Sequence, residues 1–172
     1  LTKAFEGDQN IGVVGPSVYL YSNPQKLQDE FKYKNITAPL EDYFMSGCCF
    51  LVKRSLLDTV GLLDPIYFLY CEESDFFARI KKFEFKVLHF PTESKVFHKS
   101  SVSAGRIPEL KLYYLTRNKI IFQKKYPKEV RTHQYIIRDL FIYFVITFVK
   151  ERFSPKVIYY FVKGLRDGIF YN

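Results

Sequence analysis

The sequence predicts an α/β body followed by an α-helical tail that is basic and aromatic. Three observations predict it. Short apolar runs closed by Gly or Pro read as strands. Through about residue 105 they alternate with segments of helical spacing. From Glu109 onward the spacing is helical throughout. The expected organisation is a body over 1–105 and a helical subdomain over 106–172.

Taken in order, Ile11-Gly12-Val13-Val14-Gly15-Pro16 predicts a short buried strand closed by a Gly-Pro break, with Val18 to Tyr21 continuing it after a bend. Gly12 and Gly15 match neither nucleotide-binding fingerprint. Ser22 to Pro39 is polar, with turns at Asn23-Pro24 and Ala38-Pro39, and predicts a loop-rich segment. Cys48 to Val52 is continuously apolar and suits a central strand buried on both faces. Ser46-Gly47 just before it is either a plain turn or a place where a ligand approaches the backbone closely. Ser55 reads as the N-cap of a short helix through Val60, closed by Gly61.

The apolar, aromatic run from Leu63 to Tyr70 then carries into three carboxylates, Glu72, Glu73 and Asp75. Phe76, Phe77, Ile80 and Phe83 follow at helical spacing, so the acids open a helix. Carboxylates there are favoured by the macrodipole and the free backbone N–H groups. Two readings stand: acids that cap an ordinary amphipathic helix, or a site that uses crowded carboxylates.

Lys86 to Phe90 predicts a strand ended by Pro91, and Lys95 to His98 a second short strand. His98 stands at a strand end before the polar loop Lys99 to Gly105, as a satisfied polar residue or as a ligand position. Glu109 to Tyr126 predicts a helix that contains Arg117 and carries no acid beyond Lys111. Tyr135 to Val149 is strongly apolar, and its run from Leu140 to Val149, unbroken apart from Thr147, is bracketed by Arg138, Asp139 and Lys150. A spanning helix needs roughly 20 apolar residues, so this run reads as a buried or interfacial helix. Ser154-Pro155 opens the last helix, where Gly164 and Gly168 leave room for another element to pack closely.

The chain has 172 residues, enough for a domain with its own core, and an aromatic content of 19% argues against disorder. A formal charge of +8 points to an anionic partner: nucleic acid, a phosphorylated small molecule or an acidic membrane surface. No nucleic-acid module is recognisable, and the clustered carboxylates suit a phosphate-tracking groove poorly. Cys48, Cys49 and Cys71 make a poor disulfide framework and fit a reducing, cytoplasmic compartment. Leu1 stands where an initiator Met is expected and no secretory signal pattern follows it, so the chain reads as a fragment or a processed product.

Several stretches, in order, resemble the C-terminal half of family 2 glycosyltransferases of the rhamnosyltransferase-like branch. Ser46-Gly47-Cys48-Cys49-Phe50-Leu51-Val52-Lys53-Arg54 is similar to the family's Gly-small-apolar strand ending in a basic residue. Val60 to Phe68 is similar to its Gly-x-Phe-Asp-Glu-x-Phe-Phe segment. Tyr70-Cys71-Glu72-Glu73-Ser74-Asp75, with Arg79 after it, resembles its Tyr-x-Glu-Asp-x-Asp motif. Pro91, Val96-Phe97-His98 and Ser103 resemble its Pro…Val-x-His…Ser tail, and Tyr113-Tyr114 with Arg117-Asn118 its Tyr-Tyr…Arg-Asn helix. Gly164-Leu165-Arg166-Asp167-Gly168 is similar to its closing Gly-Leu-x-Asp-Gly. Glu73 stands where the family usually has Asp, and Leu63 where it often has Phe.

The resemblance implies a partial GT-A, Rossmann-like body with short mixed strands, followed by the helical subdomain. It implies the acceptor-side portion of an inverting, metal-dependent transferase, inactive without the nucleotide-binding half that carries the family's Asp-x-Asp motif; no such triplet occurs in this chain. Implied partners are a nucleotide-sugar donor and a glycan or lipid-linked acceptor, at the inner face of a cell membrane. A second copy of the chain is an alternative cover for the edge left exposed. Glu73, with Glu72 next, is the implied general base, and His98 the ligand this half gives to Mn²⁺ or Mg²⁺. Ser46, Gly47 and Cys48 are implied at the acceptor cleft, Asp75 at the helix start, and Arg117 at the diphosphate or on an ordinary helix surface. The rival expectation is a binding module without catalysis.

Overall fold

The structure, a computed structural model, describes residues 1–28, 33, 35–43, 45–99, 107–128 and 133–171. The Ser100 to Gly105 part of the loop expected after His98, including Ser103, lies outside the described residues, as does part of the Ser22 to Pro39 segment. The architecture is mixed α/β with C-terminal helices, as expected. The chain divides into two compact units, Leu1–Leu63 with Glu73–Ser100, and Asp64–Glu72 with Ser101–Asn172.

In the first unit, a single-turn helix α1 (Ala4–Gly7) precedes β1 (Ile11–Leu20), β2 (Asn23–Leu27), β3 (Leu40–Glu41), β4 (Leu51–Val52), α2 (Arg54–Val60), α3 (Glu72–Lys82) and β5 (Lys86–His98). The first residue of α3, Glu72, belongs to the other unit. The five strands form one mixed sheet in the order β2-β1-β5-β3, with β4 also paired to β1. β1 runs parallel to β5 and antiparallel to β2 and β4. A parallel pair needs a crossover, and α2 and α3 lie on the chain between β1 and β5.

Pro16 does not break β1. It sits between the stretch paired to β4 (Val13, Val14) and the stretch paired to β2 (Tyr19, Leu20), next to a shift in the β5 register. A missing N–H is tolerated where the ladder is already interrupted. The two strands expected after Lys86 are one, and its register with β1 jumps from Phe90 to Lys95. The segment expected as loop contains β2, held to β1. The Cys48 to Val52 run is not a central strand. Only Leu51 and Val52 pair, at β1, and Cys48 and Leu51 are exposed. Its apolar character is used instead by Phe50, whose ring packs edge-on against Phe77 at 5.2 Å.

The core of this unit joins Val13, Met45, Leu56, Val60, Phe76, Phe77, Ile80 and Val87. Burying one such side chain contributes about 1.5–3 kcal/mol. Phe76, Phe77 and Ile80 thus fix the inner face of α3, as their spacing predicts, whereas Phe83 lies beyond the helix and is exposed. Helix α2 is preceded by Lys53 rather than capped by Ser55. Its C-terminus is as expected: Gly61 takes φ +81° and donates its N–H to the Leu57 carbonyl at 3.0 Å.

The second unit comprises a 3₁₀ turn (Pro65–Tyr67) and the helices α4 (Pro108–Lys125), α5 (His133–Lys150) and α6 (Pro155–Ile169). The two glycines of α6 permit close packing on α4, as the sequence suggests. A β-carbon at Gly164 would lie 2.9 Å from the Tyr113 carbonyl oxygen, and one at Gly168 2.9 Å from that of Arg117. Among the described residues, no helix is long and apolar enough to cross a membrane.

Candidate active site

In the first unit, the Ser46-Gly47 turn and the start of α3 meet. A β-carbon at Gly47 would sit 2.9 Å from Cγ and 3.0 Å from Cδ of Glu73, so bare backbone lies against that side chain. Glu73 is half-buried, while Gly47 and Cys48 are exposed. Ser46 Oγ accepts from the Cys48 N–H at 3.4 Å, which folds the turn on itself, and from Gln28 Nε2 at 3.4 Å. The amide oxygen of Gln28 is 2.7 Å from His98 Nδ1. An amide oxygen only accepts, so His98 Nδ1 is the donor and Nε2 is left facing away from this bond. Gln28 therefore bridges two expected site residues, Ser46 and His98, which lie far apart in sequence.

Asp75 is fully buried two residues on. Its Oδ2 accepts from Arg79 Nε at 2.8 Å, and the same guanidinium donates to the carbonyls of Val60 at 2.6 Å and Leu62 at 2.7 Å. The pair ties α3 to the end of α2, so Asp75 orients the helix that carries Glu73.

In the second unit, Tyr70 and Cys71 take φ 69° and 71° in succession. Left-handed backbone costs a non-glycine residue roughly 1–2 kcal/mol, and it persists where the surroundings enforce it. Here α4 enforces it. Asn118, fully buried, donates from Nδ2 to the carbonyls of Leu69 at 2.8 Å and Tyr70 at 3.0 Å. Arg117 donates to the Ile66 carbonyl at 2.9 Å and to Asn118 Oδ1 at 2.6 Å. Burial holds the Tyr70 phenol above its ordinary range, opposed by the nearby Lys111 ammonium. The next residue, Glu72, has a buried Oε2 with no hydrogen-bond partner among the described residues. Arg117 also lines an open cavity of about 650 Å³ with Tyr113, Arg166, Asp167, Phe170 and Tyr171.

The first unit thus brings together Ser46, Gly47, Glu73 and, through Gln28, His98. Glu72 and Arg117 belong to the other unit. Gln28 and Asn118 were not singled out as site residues from the sequence. For Asn118 a signal existed, since it follows Arg117 in the Arg-Asn pair; for Gln28, on a polar segment read as loop, there was none. Among the described residues, no three His, Cys, Asp or Glu side chains group so as to hold a metal ion. His98, with its Nδ1 proton held by an amide oxygen, has the arrangement of a metal-ligating imidazole and could provide one ligand of a set completed elsewhere.

No family model matches the chain, and no solved structure matches it. Two curated proteins of Mycobacterium tuberculosis, from strains CDC 1551 / Oshkosh and ATCC 25618 / H37Rv, are each 37% identical to it over 65 residues. Each is named N-acetylglucosaminyl-diphospho-decaprenol L-rhamnosyltransferase. The match covers 38% of this chain and 21% of each relative, so it spans about a fifth of their length. The likeness supports a glycosyltransferase relationship.

Proposed function

We propose that the chain is the acceptor-side portion of an inverting glycosyltransferase that uses a nucleotide-diphosphate sugar and a glycan or lipid-linked acceptor. The observation that carries the reading is Glu73 set against the bare backbone of Gly47, next to the Ser46–Gln28–His98 chain. A glycine there lets the Glu73 stem lie directly on the backbone, which fixes where its carboxylate is held. Glu73 takes the proton of that hydroxyl as its oxygen forms a bond to the anomeric carbon, from the face opposite the donor's leaving group. The bond from the anomeric carbon to the diphosphate breaks, and its electron pair leaves with the diphosphate. General-base assistance of this kind contributes about 10²–10⁴-fold.

Asp75 positions the helix through Arg79. His98 would hold Mn²⁺ or Mg²⁺ together with ligands outside these 172 residues, and the ion would neutralise charge gathering on the diphosphate. The chain by itself is then inactive. The lipid-linked acceptor finds support in the name of the mycobacterial relatives.

The test uses the full-length protein carrying this segment. Glu73→Gln should slow transfer by about 10²-fold or more and leave donor affinity, by calorimetry, unchanged; His98→Ala should weaken metal-dependent nucleotide binding. A metal titration unaltered by His98→Ala removes His98 as ligand, and sugar transfer by the 172-residue chain alone removes the divided site.

A further inference from the structure

We propose that the helical unit docks on an anionic bilayer surface through α5, the turn that follows it, and α6. The inference rests on this unit alone and does not depend on the transferase reading.

From Phe141 to Val149 helix α5 carries no charged residue. In a helix that only packs on its own unit, such a run would be turned inward. Here Phe141, Ile142, Val145, Ile146 and Val149 are exposed, with Ile146 at 58%. Ile142, Val145 and Val149 stand three and four residues apart and so share one face. Helix α6 repeats the pattern with Ile158, Tyr159, Val162 and Ile169 exposed. Exposed Ile137 and Phe141 of α5 and exposed Ile169 of α6 also line a groove of about 440 Å³, together with Ile120 and Gln123 of α4.

The turn between them is unusual in its own right. Arg152 and Phe153 take φ 53° and 62° in succession, and Phe153 is 64% exposed although its ring packs edge-on to Phe148 at 5.3 Å. A strained turn that presents an aromatic ring to solvent is costly unless the ring has somewhere to go. Around it stand Lys150, Arg152 and Lys156, all exposed, against one acid, Glu151.

Charge selects the occupant. The helical unit holds 14 Lys or Arg against 7 Asp or Glu, so a second copy would bring the same positive field to the contact. A surface of anionic headgroups brings the opposite field, over apolar chains that can accept Phe153 and the α5 stripe. Since no described helix is long and apolar enough to cross, α5 and α6 would lie in the plane of the interface.

The 172-residue chain should co-sediment with phosphatidylcholine vesicles that contain phosphatidylglycerol, and far less with phosphatidylcholine alone. Raising the salt should release it. Ile142→Asp with Ile146→Asp should weaken binding about tenfold or more without changing the melting curve, since both residues are exposed. Arg152→Glu with Lys156→Glu should weaken it comparably and remove the salt dependence. Phe153→Ser gives an independent variant at the turn, with the same direction expected. No partition onto anionic vesicles overturns the proposal, and so does equal, salt-independent partition onto neutral ones. A dimer in sedimentation velocity that Ile142→Asp dissolves, without vesicle binding, assigns the face to a second copy and overturns it equally.

Discussion

Gly47 presses its backbone on the stem of Glu73 so closely that a β-carbon at position 47 would come within 3.1 Å of three Glu73 carbons, Cβ, Cγ and Cδ. Contacts that short are not tolerated, and the near end of a side chain yields less readily than its tip. Gly47→Ala should therefore swing the Glu73 carboxylate away. A misplacement of roughly 1 Å can cost about 10²-fold in rate, so kcat of the full-length protein should fall on that scale. The melting temperature should barely move, because Gly47 is in an exposed turn. Gly7→Ala is the control, since nothing lies within 4 Å of its added β-carbon, and it should leave kcat unchanged.

Asn118 holds two consecutive carbonyls in front of the left-handed pair Tyr70-Cys71. Asn118→Asp keeps the size and loses both donors. Leaving buried carbonyls unsatisfied costs about 1–3 kcal/mol each, and a carboxylate facing them adds repulsion. A lowered urea midpoint should result, with enhanced proteolysis near Tyr70. An unchanged midpoint would show that the loop keeps its form without α4.

Arg79 neutralises the fully buried Asp75. Arg79→Met removes that ion pair and the hydrogen bonds to the Val60 and Leu62 carbonyls. Breaking a buried pair by removing one partner typically destabilises by about 3–5 kcal/mol. The double change Arg79→Met, Asp75→Leu should recover part of the loss. Equilibrium unfolding of the two variants beside the wild type checks both statements.

Among the described residues, two carboxylates and two phenols contribute to the pH dependence of stability. Hydrogen bonding to Lys86 holds Asp8 below the ordinary carboxylate range, and Arg166 does the same for Asp167. Both pKa values are lowered on folding, so their stabilisation is present above the unfolded pKa of 3.8 and is lost as pH falls through the folded value. Burial raises Tyr70, and burial followed by Asp167 raises Tyr113. Their contribution is complete below the unfolded pKa of 10.0 and is lost as pH rises through the folded one. The melting temperature should be flat between about pH 5 and 9 and fall outside that range. Asp167→Asn should reduce the fall on the acid side.

Local patterns were legible in the sequence, and long-range ones were not. The start of α3 at the acids follows from Phe76, Phe77 and Ile80, and Gly61 marks the end of α2, because periodicity and caps are encoded within a few residues. Gly164 and Gly168 correctly announced a close helix contact. Pro16 misled because its tolerance depends on which neighbours pair at that point of β1, and Cys48 to Val52 misled because a continuous apolar run can be spent on one ring, Phe50. The bridge from Ser46 to His98 through Gln28 spans three separate segments, and no local spacing announces it. The left-handed Tyr70 and Cys71 are equally silent, since neither residue type favours that conformation.

The most direct measurement is single-turnover sugar transfer by the full-length protein carrying Glu73→Gln, beside calorimetric donor binding on the same sample. If Glu73 is the general base, transfer falls by about 10²-fold or more with donor affinity unchanged. Transfer at the wild-type rate would contradict it.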